Sequence, residues 1–271
     1  MKKVQAMHIL DGAGAWLLAV LWIAPLLYAF WAAFHPPEFA VNFSLLAPLS
    51  LENFVLAWEQ APFARYFLNT FVLVTMILSA QLVLCTLAAY AFARFEFPGR
   101  EVMFYVVLLQ LMVVPEVLIV ENYNTLAELH LIDTILGIGL PYMASAFGIF
   151  LLRQSFKTVP RELEDAARVE GCGLWGVLFR VYVPVARPTY LAYCLVSISY
   201  HWNNFLWPLV VTNSVETRPL TVGLAIFGAP ESGVDWSVLS AGTLLAVAPL
   251  LLAFFLFQRQ FMQSFLHTGV K

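Results

Sequence analysis

Six apolar runs, each long enough to cross a lipid bilayer, recur along this chain and decide the solvent in which it folds. A spanning helix needs about 20 mostly apolar residues. Runs of that kind lie near 14–34, 66–91, 102–120, 135–152, 188–211 and 238–257, each bounded by charged or proline-rich sequence. Of the 271 residues 61% are hydrophobic and 11% charged, where a soluble domain carries about 25% charged residues. A globule of this size cannot bury so much apolar side chain, so the bilayer is the expected solvent. The expectation is an all-α polytopic membrane protein with six transmembrane helices, a single transmembrane domain over 1–271 and no separate soluble domain.

The loops between the runs set the orientation, because short cytoplasmic loops collect Lys and Arg. An even number of spans puts both termini on one side, together with the loops after the second and fourth spans. Twelve of the fourteen basic residues fall there: Lys2, Lys3, Arg94, Arg100, Arg153, Lys157, Arg161, Arg168, Arg180, Arg187, Arg259 and Lys271. Only Arg65 and Arg218 fall on the other side. Both termini are therefore expected in the cytoplasm of a multi-pass inner (plasma) membrane protein. The start MKK leads into an apolar run with no A-x-A-like cleavage site, which reads as a retained anchor. A net charge of -3 with no basic face excludes a nucleic-acid surface. The outer loops HPPEFAVNFSLLAPLSLENFVLAWEQAPFARY and TNSVETRPLTVGLAIFGAPESGVDW are too apolar for plain linkers. They are expected to pack as short helices on the outer face or to meet a partner.

Catalytic ingredients are missing. No GxxxxGK[ST] phosphate loop, HExxH zinc helix or GxSxG elbow occurs. His8, His35, His130, His201 and His267 lack the i, i+4 pairing of a helical metal site. Cys85, Cys172 and Cys194 are odd in number, without CxxC spacing, and read as packed thiols. Neither an enzyme nor a metal or cofactor site is expected in this chain. The rival from another class is an ion channel or secondary transporter, which would show charges in mid-span or repeated halves.

One polar break stands out, ELEDAARVEGCG at 162–173. After Pro160 it reads as a surface helix, with Leu163, Ala166, Ala167 and Glu170 on one face. Arg161 with Asp165 and Glu164 with Arg168 are i, i+4 opposite-charge pairs, each contributing about 0.3–0.5 kcal/mol. Gly171 and Gly173 supply a stop, and a second helix, LWGVLFRVYV, precedes Pro184 and Pro188. A structured loop over 158–187 is longer than a bundle connection requires. The small side chains of Ala166 and Ala167 would let a partner surface approach closely.

DAARVEGCGLWGVLFRVYVPVARP resembles the EAA loop of permease subunits in binding-protein-dependent ABC importers, EAAxxDGAxxxxxFxxixLPxxxP. Asp165, Ala166 and Ala167 stand at the EAA positions, Gly171 at the glycine, Phe179 at the aromatic, and Pro184 and Pro188 at the prolines. The departures are Asp165 for Glu, Glu170 for Asp and Cys172 for Ala; the two acid changes keep the charge. LAAYAFARFEFPGR, HWNNFLWPL and QRQFMQSFLHTGVK are similar to further signatures of the carbohydrate and glycerol-phosphate branch, the maltose-type and glycerol-3-phosphate-type permeases. The runs YMASA, FLLRQSF and WNNFLWPL look most like the shorter, six-span glycerol-3-phosphate permease subunit.

The resemblance implies a type I ABC importer permease fold with a cytoplasmic EAA coupling helix. Glu164, Asp165, Ala166, Ala167, Arg168, Glu170 and Gly171 would be its ATPase-coupling residues. The implied partners are a second, homologous permease subunit forming a heterodimer, two ATP-binding subunits, and a soluble or lipid-anchored solute-binding protein. ATP and Mg would be held by the ATPase, and the cargo would be a small polar solute, sn-glycerol-3-phosphate, a glycerophosphodiester or a sugar.

Polar groups inside spans are costly unless they face a cavity or another helix. Asn69, Gln81, Gln110, Ser145, Ser197 and Ser199 are such groups, and Glu116, Glu121, Asn122, Tyr142, Tyr200, Trp202, Asn203 and Asn204 are the candidate pathway residues. If the third span ends near Pro115, Glu116 and Glu121 stand instead at the outer mouth. Asn203 and Asn204 are equally open to interhelical hydrogen bonding. Pro115 would loosen the carbonyl of Leu111 and Pro208 that of Asn204, making both candidate gating kinks.

Overall fold

The computed structural model describes residues 2–41, 44, 47–225 and 233–269, which form helices and no strands. The main helices are α1 (Lys2–Ala33), α2 (Pro37–Val41), α3 (Glu52–Gln60), α4 (Phe63–Arg94), α5 (Arg100–Leu109), α6 (Ile119–Glu128), α7 (Ile135–Gly139) and α8 (Ala146–Lys157). They continue with α9 (Arg161–Val169), α10 (Leu174–Val177), α11 (Val183–Val185), α12 (Arg187–Trp202), α13 (Leu206–Val211), α14 (Leu220–Ala225) and α15 (Trp236–Gly269).

Three of the expected spans are unbroken helices, Gly14–Ala33, Phe63–Arg94 and Trp236–Leu256. The other three are bent pairs, long and apolar enough only when each pair counts as one span. They are Arg100–Met112 with Pro115–Glu128 at 90°, Ile135–Tyr142 with Ala146–Thr158 at 49°, and Leu174–Val185 with Arg187–Trp202 at 75°. The runs 102–120 and 135–152 are thus bent within their length, whereas 188–211 is divided by the end of α12 at Trp202 and the start of α13 at Leu206, the 75° bend lying just before it. Hydropathy counts side chains, and it is the backbone that fails at these points. Val113 and Val114 are extended, as the residue before a proline prefers, and Pro115 opens a 3₁₀ turn. Ser145 is extended too, and its hydroxyl accepts from the amide of Gly148, restarting a helix as an N-cap.

The chain divides into two compact units, Met1–Phe63 with Gly223–Pro249, and Ala64–Val222 with Leu250–Lys271. In the first, α1 is tied to α3 by Asn53. Its buried amide donates to the carbonyls of Ala33 and His35 at 3.0 and 2.8 Å, satisfying acceptors that the end of α1 leaves open. The outer loops do contain short helices, α2 and α3 in one and α14 in the other; 42–43, 45–46 and 226–232 lie outside the described residues.

The second unit is built along α4. Toward the start of this helix, Leu73 and Ile77 pack with Leu126, Ile138, Trp207 and Val211. Toward its end, Cys85, Ala89, Tyr90 and Phe92 join a larger core with Leu152, Phe156, Val159, Ala167, Val177 and Tyr182. Packing between spans rests on close approach rather than on expelling water, and Gly148 shows it. A Cβ there would stand 2.7 Å from Tyr193 Cζ and 2.9 Å from Cys85 Sγ.

Two arginines close the helix ends of this core. Arg153 on α8 is buried and donates from Nε to the carbonyl of Phe92, in the last turn of α4, at 3.2 Å. Its Nη2 reaches both carboxylate oxygens of Glu101 at 3.1 and 3.2 Å, and its guanidinium lies 3.8 Å from the Phe104 ring centroid. Arg94, the last residue of α4, donates in return to the carbonyls of Phe156 and Val159 at the end of α8. Each helix supplies a cation for carbonyls at the other's end, a geometry worth about 0.3–1 kcal/mol at exposed ends and up to about 2 when partly buried.

On the far side of the unit the loop from Thr212 to Pro219 is held from two directions. Asp133, with φ at +58°, accepts at Oδ1 from the amides of Asn213 and Ser214, at 2.9 and 3.1 Å, and from the Thr217 hydroxyl. Burial pushes its carboxyl up, but these donors outweigh burial and hold it down at about 2. Asn69 on α4 donates to the carbonyls of Glu216 and Arg218 at 2.8 and 2.9 Å.

Candidate functional site

The polar break folds as expected into a short helix, α9, entered through Pro160. Its stop is a Schellman turn. Gly171, at φ +86°, donates to Arg168 O at 3.0 Å, and Cys172 donates to Ala167 O at 2.9 Å. Gly173 does not share that role; its backbone is extended and it caps the start of α10. From there α10, a π turn over Leu178–Tyr182 and α11 run on as the second helix of the loop.

The two faces of α9 differ from the expected grouping. Ala167 is only 8% exposed and belongs to the core, whereas Leu163, Asp165, Ala166, Val169 and Glu170 face outward, Val169 at 88%. One residue is a 100° step around a helix, enough to send adjacent alanines to opposite sides. Close approach by a partner is therefore a property of Ala166, and Ala167 gives the same closeness to this chain's own body.

Glu164 shares the inward face. Its Oε2 accepts from the Tyr182 hydroxyl at 2.5 Å and lies 3.9 Å from Arg94 Nε, while Oε1 accepts from Arg168 Nη2 at 2.8 Å. Burial raises the carboxyl, but the hydrogen bonds from Tyr182 and Arg168 and the charges of Arg168 and Arg94 outweigh it, leaving Glu164 below the usual carboxylate range. The expected pair of Glu164 with Arg168 is present. Arg161 and Asp165 form no ion pair among the described residues. Arg94 also stacks over the Tyr182 ring at 4.8 Å.

A second feature lies within the same unit. A cavity of about 360 Å³ is lined by Gln81 from α4, Gln110 and Asn122 around the 90° bend, Tyr142 and Ser145 around the 49° bend, and Tyr193, Ser197, Tyr200 and His201 from α12. The proline at the larger bend, Pro115, also lines it. Gln81 is its hub. The amide oxygen accepts from Tyr193 and Ser197 hydroxyls at 2.9 and 2.6 Å, and the nitrogen donates to Tyr142 O at 2.7 Å with His201 Nε2 at 3.2 Å. Both lone pairs and both hydrogens of the amide are used. Among the described residues, Nδ1 of the buried His201 has no partner.

Asn122, Tyr142 and Tyr200 line this cavity; Glu116, Glu121, Trp202, Asn203 and Asn204 do not, but the Asn204 side chain hydrogen-bonds Tyr142, and Glu116 stands close enough for its charge to act on Tyr142 and Tyr200. Glu116 and Glu121 are exposed on the segments after the bend at Pro115. Asn203 closes its own helix, donating from Nδ2 to Ser199 O at 2.8 Å. Trp202 lies with its ring 6.5 Å from Phe67. Pro208 does not kink a helix: α12 has ended at Trp202, and Pro208 sits in the first turn of α13, where no amide hydrogen is needed. The Asn204 carbonyl is not left open, because the Thr221 hydroxyl donates to it at 2.7 Å. The sequence reading missed His201 and Tyr193. The signal was available, since 193, 197 and 201 repeat at i, i+4, i+8 and share one face of α12.

Comparison with known proteins agrees with this geometry. The family model for the binding-protein-dependent transport system inner membrane component matches residues 15–266. The arabinooligosaccharides transport system permease protein AraQ of Halalkalibacterium halodurans is 32% identical over 94% of this chain and 93% of its own. The lactose transport system permease protein LacG of Rhizobium radiobacter is 38% identical over 79% of this chain and 78% of its own. The sn-glycerol-3-phosphate transport system permease protein UgpE of Brucella abortus is 32% identical over 75% and 73%. A crystal structure of a bacterial ABC transporter that imports the acidic polysaccharide alginate superposes with a TM-score of 0.85 at 19% identity, over 96% of this chain and 98% of that one. The chain belongs to the binding-protein-dependent transport system inner membrane components, the permease subunits of ABC importers, whose ATP is hydrolysed by separate subunits.

Proposed function

We propose that this permease passes an uncharged, hydroxyl-rich solute, a sugar or short oligosaccharide, from its binding protein into the cytoplasm. The observation that carries the reading is the cavity wall. It offers amides, hydroxyls and aromatic rings from Gln110, Asn122, Ser197 and Tyr200, beside His201, and among the described residues its lining holds no Asp, Glu, Lys or Arg. Sugar hydroxyls both donate and accept, which amides and hydroxyls complement on either count. A phosphoester anion would instead call for a guanidinium or ammonium group. The relatives named for arabinooligosaccharides and lactose support the sugar reading, and those named for sn-glycerol-3-phosphate support its rival.

In the same reading the outward face of α9, with Asp165, Ala166 and Glu170, docks on one of two ATP-binding subunits that hold ATP and Mg. A second, homologous permease completes the pathway. Both termini lie in the cytoplasm, on the side that gathers twelve of the fourteen basic residues. The test is uptake by the complete transporter, reconstituted in ATP-loaded proteoliposomes with its binding protein. Labelled oligosaccharides are expected to accumulate with ATP and not without it. Uptake of glycerol phosphate with no uptake of any sugar would defeat the sugar assignment.

A further inference from the structure

The neighbourhood of Glu164 holds two buried polar atoms without hydrogen-bond partners among the described residues, Arg94 Nε and the Tyr90 hydroxyl. Buried polar groups are nearly always paired, so an exception calls for a physical reason. Both belong to the last turns of α4, and Arg94 Nε faces Glu164 Oε2 at 3.9 Å, about one ångström beyond hydrogen-bond length. The Tyr90 ring lies 5.2 Å from that of Tyr182, whose hydroxyl already holds the same carboxylate. Glu164 is therefore divided between Arg168 on its own helix, half exposed, and a buried group on the body of the unit.

We propose that Glu164 is the positioning residue that attaches the coupling helix to the membrane body, through Tyr182 and Arg94, and does not itself meet the ATPase. The contact has room to tighten. A displacement of α9 by about one ångström would bring Glu164 within hydrogen-bond reach of Arg94 Nε and supply the acceptor it lacks. Arg94 ends α4, and α4 carries Gln81, the hub of the cavity; Arg94 also covers the end of α8, whose N-cap Ser145 lines that cavity. A push on α9 is thus delivered to the two helices that bear the pathway. The physical warrant for such transmission is an element with two arrangements that both sites bias; Glu164 Oε2 closing from 3.9 Å onto Arg94 Nε, while Oε1 keeps Arg168, would be such an element.

This inference rests on the docking of an ATPase to the outward face of α9. The experiment uses the complete transporter in proteoliposomes, comparing wild type with Glu164→Gln, Tyr182→Phe and the double variant. Glu164→Gln keeps the length and loses the charge facing Arg94, and Tyr182→Phe removes one oxygen. Three readouts are taken: retention of the ATPase subunits on purification, ATP turnover, and solute taken up per ATP. Retention is expected to be unchanged, ATP turnover to stay within about twofold, and uptake per ATP to fall at least about fivefold in each single variant. The double variant should be no worse than the worse single, because both act through one contact. Uptake per ATP at the wild-type level in both singles overturns the inference, and so does loss of the ATPase subunits. Ala166→Leu serves as the docking control: if it also retains the ATPase at full strength, the docking reading fails and this inference with it. If only the Glu164 and Tyr182 variants remain coupled, this inference fails alone.

Discussion

Adjacent alanines on α9 offer a sharp separation between folding and docking. Leucine adds three heavy atoms at either position. At Ala167, 8% exposed and in one core with Phe156, Val159 and Tyr182, those atoms enter a packed core, and overpacking costs about 1–3 kcal/mol. At roughly 2–4 °C per kcal/mol for chains of this size, Ala167→Leu should lower the melting temperature of the isolated permease by about 2–12 °C. At Ala166, exposed on the opposite face, the leucine enters solvent and the change in helix propensity is about 0.2 kcal/mol, under a degree. Its effect should appear only when the ATPase subunits are present, as their loss on co-purification. The two assays are thermal unfolding of the detergent-purified permease alone and capture of the ATPase subunits by tagged permease. Ala166→Leu lowering the permease's own melting temperature as much as Ala167→Leu, or Ala167→Leu leaving it unchanged, would refute the assignment of faces.

The turn after α9 and the loop anchor at Asp133 give two more expectations. A Cβ on Gly171 meets nothing within 4 Å, so only its φ of +86° constrains the residue; Gly171→Ala should cost about 1 kcal/mol and Gly171→Asn distinctly less. Hydrogen exchange of the α9 amides should rank wild type, Asn and Ala in that order of protection, and an Asn variant looser than Ala would show that the backbone is not the constraint. Asp133 is held at about 2 against an ordinary 3.8, so its carboxylate contributes stability that is fully present above pH 3.8 and is lost as pH falls toward about 2. Protection of the Asn213 and Ser214 amides should fall through that window in wild type and be low throughout in Asp133→Ala; the same acid profile in both would remove Asp133 from the anchor.

Helix content, the number of apolar runs and the glycine stop at 171 were legible because each is written in local chemistry. Propensity, hydropathy and the freedom of one residue at positive φ all belong to short windows of sequence. Of the three bends the one at Pro115 was legible through its proline, and the other two were not, since an apolar run reads the same whether its helix is continuous or restarts at Ser145. Gln81 was visible as a polar residue in a span, but its role as hub depends on Tyr142, Tyr193, Ser197 and His201, which lie 61 to 120 positions away. His201 was passed over because the search was for paired histidines suited to a metal, whereas this imidazole meets an amide. Asn203 and Asn204 make the same point. Local sequence marks both as polar groups in an aromatic motif, and only the fold shows that Asn203 closes its own helix, while the Asn204 carbonyl receives a threonine hydroxyl and its side chain meets Tyr142 at the cavity.

Arg94 and Arg153 carry this lesson furthest. Counted along the sequence they are two more basic residues on the side where such residues gather. In the fold both side chains are largely buried, each covering carbonyls at the end of the helix that carries the other arginine. The two descriptions have one cause. A span that ends at its membrane boundary leaves four carbonyls unpaired and a partial negative charge, and a guanidinium is suited to both, with five donors in a fixed fork and a charge that persists. Burial is tolerable because carbonyls, a carboxylate or an aromatic face take up those donors, as Phe92, Glu101 and Phe104 do for Arg153. For Arg94 the buried Nε has no hydrogen-bond partner among the described residues, and the inward acid of α9, Glu164, lies 3.9 Å from it. A residue that enters the topology as a positive charge and the fold as a helix cap thus also meets the helix through which ATP hydrolysis is proposed to act, and these roles demand the same side chain at the same place.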